Sequence, residues 1–223
     1  GRIPDDPAEQ VQLSFNRMAA TLKAAGLDFR HMVFVNPYIT DAVPMDVMNK
    51  VYAKHFEFGN TPARATIHVS ALPSKAGVEF TGVAVRNLAD RHAVRPKNMD
   101  PSATASPCVF AGNTLYCSAK SGFIPGPGSG IYGPTVGTQV RQTMRNLLDG
   151  LQEAGMDFSN VVASYVYLDN MEEFAGMNKV YSQYFQGSYP ARTTIQQYPP
   201  AEHKADENER WPTMEQIAII AVK

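Results

Sequence analysis

Cysteine is scarce in this chain: of 223 residues, only Cys108 and Cys117 carry a thiol. Two cysteines cannot close a tetrahedral zinc site or staple a small scaffold, and His31, His55, His68, His92 and His203 show no ligand spacing with them. No structural metal is expected. An excess of charge of either sign is also missing. The 20 Lys and Arg against 21 Asp and Glu leave a formal charge of -1, which supplies neither an extended basic footprint for nucleic acid nor an acidic disordered tail. No run approaches the roughly 20 apolar residues of a membrane-spanning helix, and Gly1-Arg2-Ile3-Pro4-Asp5-Asp6 is no secretory signal. The reading is a soluble chain with no nucleic-acid or membrane partner. It is cytoplasmic, with a periplasmic place left open if an N-terminal segment has been removed. Its length fits one large domain or two small ones.

What the chain does have is a repeat. Ala25-Gly26-Leu27-Asp28-Phe29 returns as Ala154-Gly155-Met156-Asp157-Phe158, and Met48-Asn49-Lys50-Val51-Tyr52 returns as Met177-Asn178-Lys179-Val180-Tyr181, both 129 residues later. Pro62-Ala63-Arg64 recurs as Pro190-Ala191-Arg192, one residue closer. Three ordered matches at a nearly constant offset set the architecture before any single element is assigned. Gly1-Arg2-Ile3-Pro4 aligns with Gly122-Phe123-Ile124-Pro125, after which the second copy carries a Gly/Pro-rich extension from Pro127 to Pro134. Ahead of that point, residues 107–121 read as a hairpin turning at Gly112-Asn113. The first copy has no counterpart for it: the hairpin was lost, or the sequence is a piece of a longer chain.

Periodicity places the landmarks on elements. Val11, Phe15, Met18 and Leu22 predict an amphipathic helix over 8–25 that Gly26 caps, and its partner covers 137–154. Strands are expected at 32–39 and 161–168, helices at 44–56 and 171–185, and closing strands at 64–70, 78–85, 192–198 and 214–222. The fold class is α+β, two tandem units of a sheet covered by two helices on one face. The expected boundaries are a first unit at 1–85, a linker at 86–106 rich in Asn, Asp, Pro and Ser, and a complete second unit at 107–223. Phe34, Tyr38, Tyr165 and Tyr167 would leave the other sheet face partly apolar, as an oligomer interface is.

Ala-Gly-x-Asp-Phe, Met-Asn-x-Val-Tyr, Pro-Ala-Arg-Thr and a closing strand bearing Glu together resemble the Rid (YjgF) family of reactive-intermediate deaminases over nearly the whole chain. The resemblance implies a chorismate-mutase-like unit, a homo-oligomer that is a trimer, ligand clefts between neighbouring units, and no cofactor. It also implies hydrolysis of 2-enamine or 2-imine acids to 2-keto acids and ammonia. Arg64 and Arg192 would bind a substrate carboxylate, since a guanidinium can give it two parallel charge-assisted hydrogen bonds. Glu79 and Glu215 match the family's glutamate and would orient the attacking water. Ser118 falls where the family shows Ser-Gly. Asn49 and Asn178 are expected to be mainly structural, and Thr66 and Thr194 stand where many members carry Cys, so no reactive thiol acts there. The aromatic that many deaminating members place on the first strand would fall near Ala105.

Three functions follow in order: an imine or enamine deaminase; a non-catalytic sensor of keto or carboxylic acids, to which the missing hairpin and aromatic would point; and an endoribonuclease, for which the charge supplies little. With a two-residue turn at Gly112-Asn113, Cys108 and Cys117 would lie opposite each other. Two reduced thiols in a core are the expected state, and a disulfide suited to an oxidising compartment or a redox switch is the alternative.

Overall fold

A computed structural model describes residues 2–126, 130–199 and 203–223. Pro127 and Gly128 of the expected extension, and residues 200–202 of the loop before Glu215, lie outside the described residues. The chain folds into two compact units that divide between Ser118 and Ala119.

In unit 1 the elements are α1 (Pro7–Ala24), β1 (Met32–Ile39), α2 (Met45–Tyr52), β2 (Ala63–Arg64), β3 (Ile67–His68), β4 (Val78–Ala84), β5 (Arg91–Val94) and β6 (Cys108–Ala111). β7 (Thr114–Ser121) runs across the division. Unit 2 continues with β8 (Phe123–Ile124), β9 (Ile131–Tyr132), α3 (Val136–Glu153), β10 (Val161–Leu168), α4 (Phe174–Tyr181), β11 (Ala191–Gln196) and β12 (Glu215–Val222). Each repeat builds the same mixed sheet. β1 pairs parallel with β2 and β3 on one edge and antiparallel with β4 on the other. β10 does the same with β11 and β12.

Local chemistry sets the helix ends. The Asp6 side chain accepts from Glu9 N at 2.8 Å ahead of Pro7, and Thr135 and Thr138 form a capping box on α3. Both helices stop at a glycine in the left-handed region, Gly26 (φ 73°) and Gly155 (φ 72°), which a side chain would strain. Val11, Phe15 and Leu22 of α1 face β1 and α2, where Phe15 is fully buried among Phe29, Tyr52, Phe56 and Phe80 with ring centroids 4.7–6.1 Å away. Burial of a side chain of this size contributes about 1.5–3 kcal/mol, which helps hold the helix layer on the sheet.

Three expectations change. The stretch 86–106 is not a free surface connection, because it carries β5 and is bound into unit 1. Arg91 donates to Met32 O at 2.8 Å and to both side-chain and backbone oxygens of Asn60, and Ser106 N donates to Pro62 O. The hairpin expected to open the second unit is shared: β7 stands beside β12 in the sheet order β11-β10-β12-β7-β6-β5, while the hairpin residues up to Ser118 belong to compact unit 1, where β5, β6 and β7 pair antiparallel and Tyr116 packs on Phe34 at 5.9 Å. That contact buries Phe34 to 7% exposure, covering sheet surface expected to be an oligomer face. Finally, Cys108 and Cys117 do lie in register, as the turn required, but they form a disulfide rather than two reduced thiols. Opposed strand positions bring the two Cβ atoms within reach of one bond. Among the described residues no helix is long and apolar enough to cross a membrane.

Candidate functional site

Arg64 is the most completely built of the expected site residues. Its backbone N–H donates to Ser118 Oγ at 2.8 Å, and that hydroxyl donates in turn to Ser106 O at 2.6 Å. Its guanidinium lies 5.0 Å over the Tyr52 ring, with Nη1 donating to Asn49 Oδ1 at 2.7 Å. Asn49 and Tyr52 are three apart on α2 and therefore share one face of the helix. Asn49 is thus more than core scaffolding, because it sets the guanidinium's orientation. Among the described residues no carboxylate pairs with Arg64, and burial lowers its pKa from the usual arginine range. A desolvated guanidinium held by neutral partners retains donors for an incoming anion. Thr66 lies two residues further, between β2 and β3.

In unit 2, Arg192 repeats part of this arrangement. Its guanidinium sits 4.9 Å over Tyr181 and 5.5 Å over Phe174, beside Asn178 in a cavity of about 610 Å³. Tyr181 is fixed by a 2.7 Å bond between its hydroxyl and Ser164 Oγ. Thr194 follows two positions on, its Oγ1 buried without a partner among the described residues. Glu215 is fully buried, accepting from Thr143 Oγ1 at 2.5 Å and from the Gly122 backbone N–H, while its Oε2 has no partner among the described residues. Burial pushes its pKa up to about 8 against the opposing effect of the Thr143 bond, and Asp169 adds a small push in the same direction as burial.

Sheet register decides which of these residues meet. Arg192 stands opposite Ser164 and Glu215 opposite Leu168, on either side of β10. Four residues along the strand and two strand spacings put their backbones about 16 Å apart. Arg64 and Glu79 stand opposite Val35 and Tyr38, about 14 Å apart by the same reasoning. Neither unit brings its own Arg and Glu to one place. The expectation that Glu79 and Glu215 occupy the same position of the repeat is not met. Tyr38 corresponds to Tyr167 and Ile39 to Leu168, so Glu79 aligns with Gln216, and Glu215 aligns with Val78. Burial agrees: Val78 is 5% and Glu215 0% exposed, whereas Glu79 is exposed. The closing strands of the two copies are displaced by one residue relative to the match of glutamates. Ser118, expected to serve a neighbouring cleft, binds the backbone of Arg64.

Tyr52 and Tyr181 under the arginines, and Thr143 and Gly122 on Glu215, are site residues that the sequence reading passed over. Both tyrosines belong to the repeated Met-Asn-Lys-Val-Tyr motif, so helical spacing from Asn was a usable signal; Thr143 carried none. Among the described residues no group of three or more His, Cys, Asp or Glu could hold a metal ion.

Comparison with known proteins adds to this geometry. The family described as Endoribonuclease L-PSP matches residues 1–86 and 96–198. A mouse protein named 2-iminobutanoate/2-iminopropanoate deaminase is 40% identical over 91 residues, covering 41% of this chain and 67% of its own. Its goat counterpart is 38% identical over 91 residues, covering 41% and 66%. A RutC family protein of Pyrococcus horikoshii is 35% identical over 101 residues, covering 45% and 77%. The chain thus spans about two thirds of the length of the mammalian relatives. A solved structure from the Rid family of Yersinia pestis is 21% identical with a TM-score of 0.48, covering 60% of this chain and 99% of its own.

Proposed function

Because the chain belongs to the Endoribonuclease L-PSP family, the Rid or YjgF proteins, we propose that it is a hydrolytic deaminase of 2-imine and 2-enamine acids, giving 2-keto acids and ammonia. The observation that supports this most is Arg64, a half-buried guanidinium with no carboxylate partner among the described residues and oriented by Asn49 and Tyr52. A substrate carboxylate supplies the missing charge. The reaction adds water to the C=N carbon and expels ammonia, so one group must accept a proton from water and one must supply a proton to nitrogen. Glu215 suits both directions of transfer. With a pKa of about 8 its carboxyl is largely protonated at neutral pH, so it first donates its proton to the imine nitrogen and takes one back from the water that attacks the carbon; in the collapse of the resulting carbinolamine the hydroxyl proton passes to nitrogen as the C–N bond breaks, releasing ammonia and leaving the 2-keto acid. Arg64 and Glu215 are each tested by their own substitution.

The relatives named as 2-iminobutanoate/2-iminopropanoate deaminases support a small aliphatic imine as substrate. One observation favours a second reading: the Glu215 position is Val78 in unit 1, so unit 1 on its own resembles a carboxylate-binding module more than a catalyst. Ammonia release from 2-iminobutanoate generated in place, measured for the parent chain, Arg64→Ala, Arg192→Ala and Glu215→Gln, separates the two. The deaminase predicts turnover that falls at least about a hundredfold in kcat/KM for Arg64→Ala, the scale of a lost charge-assisted bidentate pair. Parent release no faster than background, together with saturable keto-acid binding that Arg64→Ala abolishes, would establish the binding module instead.

A further inference from the structure

We infer that the Arg192 cavity of unit 2 is a site for dianions, 2-keto or 2-imino acids whose carbon chain ends in a second carboxylate, with Lys179 holding that far end. The inference rests on the arginine–carboxylate contact proposed above and adds that the two units select different acids.

The two copies differ in how the same lysine is neutralised. In unit 1, Lys50 follows Asp46 by four positions on α2, and its ammonium pairs with the Asp46 carboxylate at 3.3 Å. In unit 2 the matching residues, 129 positions on, are Lys179 and Ala175, so the acidic partner is gone. The other residues three or four positions from Lys179 are Gly176, Ser182 and Gln183, which carry no negative charge. Among the described residues no carboxylate pairs with Lys179, and it lines the same cavity of about 610 Å³ that Arg192 lines.

Arg192 is also without a counter-charge. Its guanidinium lies 4.9 Å over Tyr181 and 5.5 Å over Phe174, contacts with ring faces that engage none of its five N–H donors. Arg64 differs, since its Nη1 donates to Asn49 at 2.7 Å. Unit 1 therefore presents one cation beside a neutralised lysine, and unit 2 presents two cations in one cavity. Their fields add there, which favours a doubly charged ligand over a singly charged one. Tyr189 and Pro190 supply apolar lining for the carbon chain; Tyr189 is 64% exposed, whereas the matching residue of unit 1, Thr61, is fully buried. A monocarboxylate satisfies Arg192 alone, and a second carboxylate at the far end of the chain also satisfies Lys179. Because Lys179 is exposed, its contribution is that of a surface ion pair, several-fold in affinity and screened by salt.

Titration calorimetry of the intact chain at low salt compares each diacid with the monoacid of equal carbon count: 2-oxopentanedioate against 2-oxopentanoate, and 2-oxohexanedioate against 2-oxohexanoate. The expected result is a site, lost in Arg192→Ala, that prefers the diacid about five- to tenfold, the preference narrowing as salt is raised. Lys179→Met should bring diacid affinity down to that of the monoacid. Ala175→Asp, at an exposed position, restores the arrangement of Asp46 with Lys50 and should narrow the preference about twofold. Circular dichroism checks that each variant keeps the parent fold. Equal affinity for the paired acids at the Arg192-dependent site, or a preference that survives Lys179→Met or ignores salt, overturns the dianion site and leaves the arginine–carboxylate contact standing. Absence of any Arg192-dependent binding of either acid overturns both.

Discussion

Replacing Glu215 with Gln removes one proton-binding site from the fully buried end of β12, and the structure specifies how stability must respond to pH. In the folded chain this carboxyl has a pKa of about 8, against 4.5 when exposed. Below pH 4.5 both states hold the proton and the group is neutral toward folding. As pH rises, the unfolded chain releases its proton first while the folded chain keeps it, so stability is lost between about pH 4.5 and 8 and then levels off. The slope is at most about 1.4 kcal/mol per pH unit, and the full span amounts to about 5 kcal/mol. Glu215→Gln preserves shape and can still accept from Thr143, but it does not titrate. The stability difference between variant and parent should therefore start near zero at pH 4 and grow in the variant's favour toward pH 8. Burial also raises the pKa of Asp169, which gives both proteins a further slope of the same sign. Urea unfolding at four pH values, read by the single tryptophan Trp211 in unit 2, measures the difference. A difference that stays flat, or that shifts toward the parent with rising pH, would refute the account of Glu215 as a desolvated acid.

Two further outcomes follow from the same contacts. Ser118→Ala leaves the Arg64 N–H without its acceptor and Ser106 O without its donor, and should lower unit 1 stability by about 1–3 kcal/mol while raising KM more than it lowers kcat; unchanged unfolding and unchanged KM would remove Ser118 from the site. Thiol alkylation should label neither cysteine without reductant, and reduction should destabilise the chain by about 2–3 kcal/mol, the chain-entropy figure for so short a loop. Rapid labelling of the untreated protein would contradict the disulfide.

Much of the architecture was legible in the sequence because it rests on local chemistry. Apolar spacing at Val11, Phe15 and Leu22 specifies a buried helix face, Gly26 and Gly155 specify helix ends, and the recurrence at 129 residues specifies two like units. The Asn and Arg of each copy could be named for the same reason, since a repeated helix motif and a repeated strand start mark themselves. The element Met171–Tyr184 shows the limit of such reasoning: its expected helix is broken into 3-10, α and 3-10 segments, a difference of hydrogen-bond pattern that apolar spacing does not encode.

By itself, then, the sequence determined that the chain is a tandem α+β repeat with an arginine at the start of matching strands, because periodicity and turn residues act over a few positions and leave a readable trace. Only the tertiary structure decided which residues those arginines meet. Strand register placed Val78, not Glu79, at the position of Glu215 and kept Arg and Glu of one unit about 16 and 14 Å apart. It also carried Ser118 to Arg64 across 54 positions of chain. A shift of one residue reverses which face of a strand a side chain occupies. The choice between registers comes from the summed packing of β1 and β10 against their partners, an energy distributed over many distant contacts and written in no single motif.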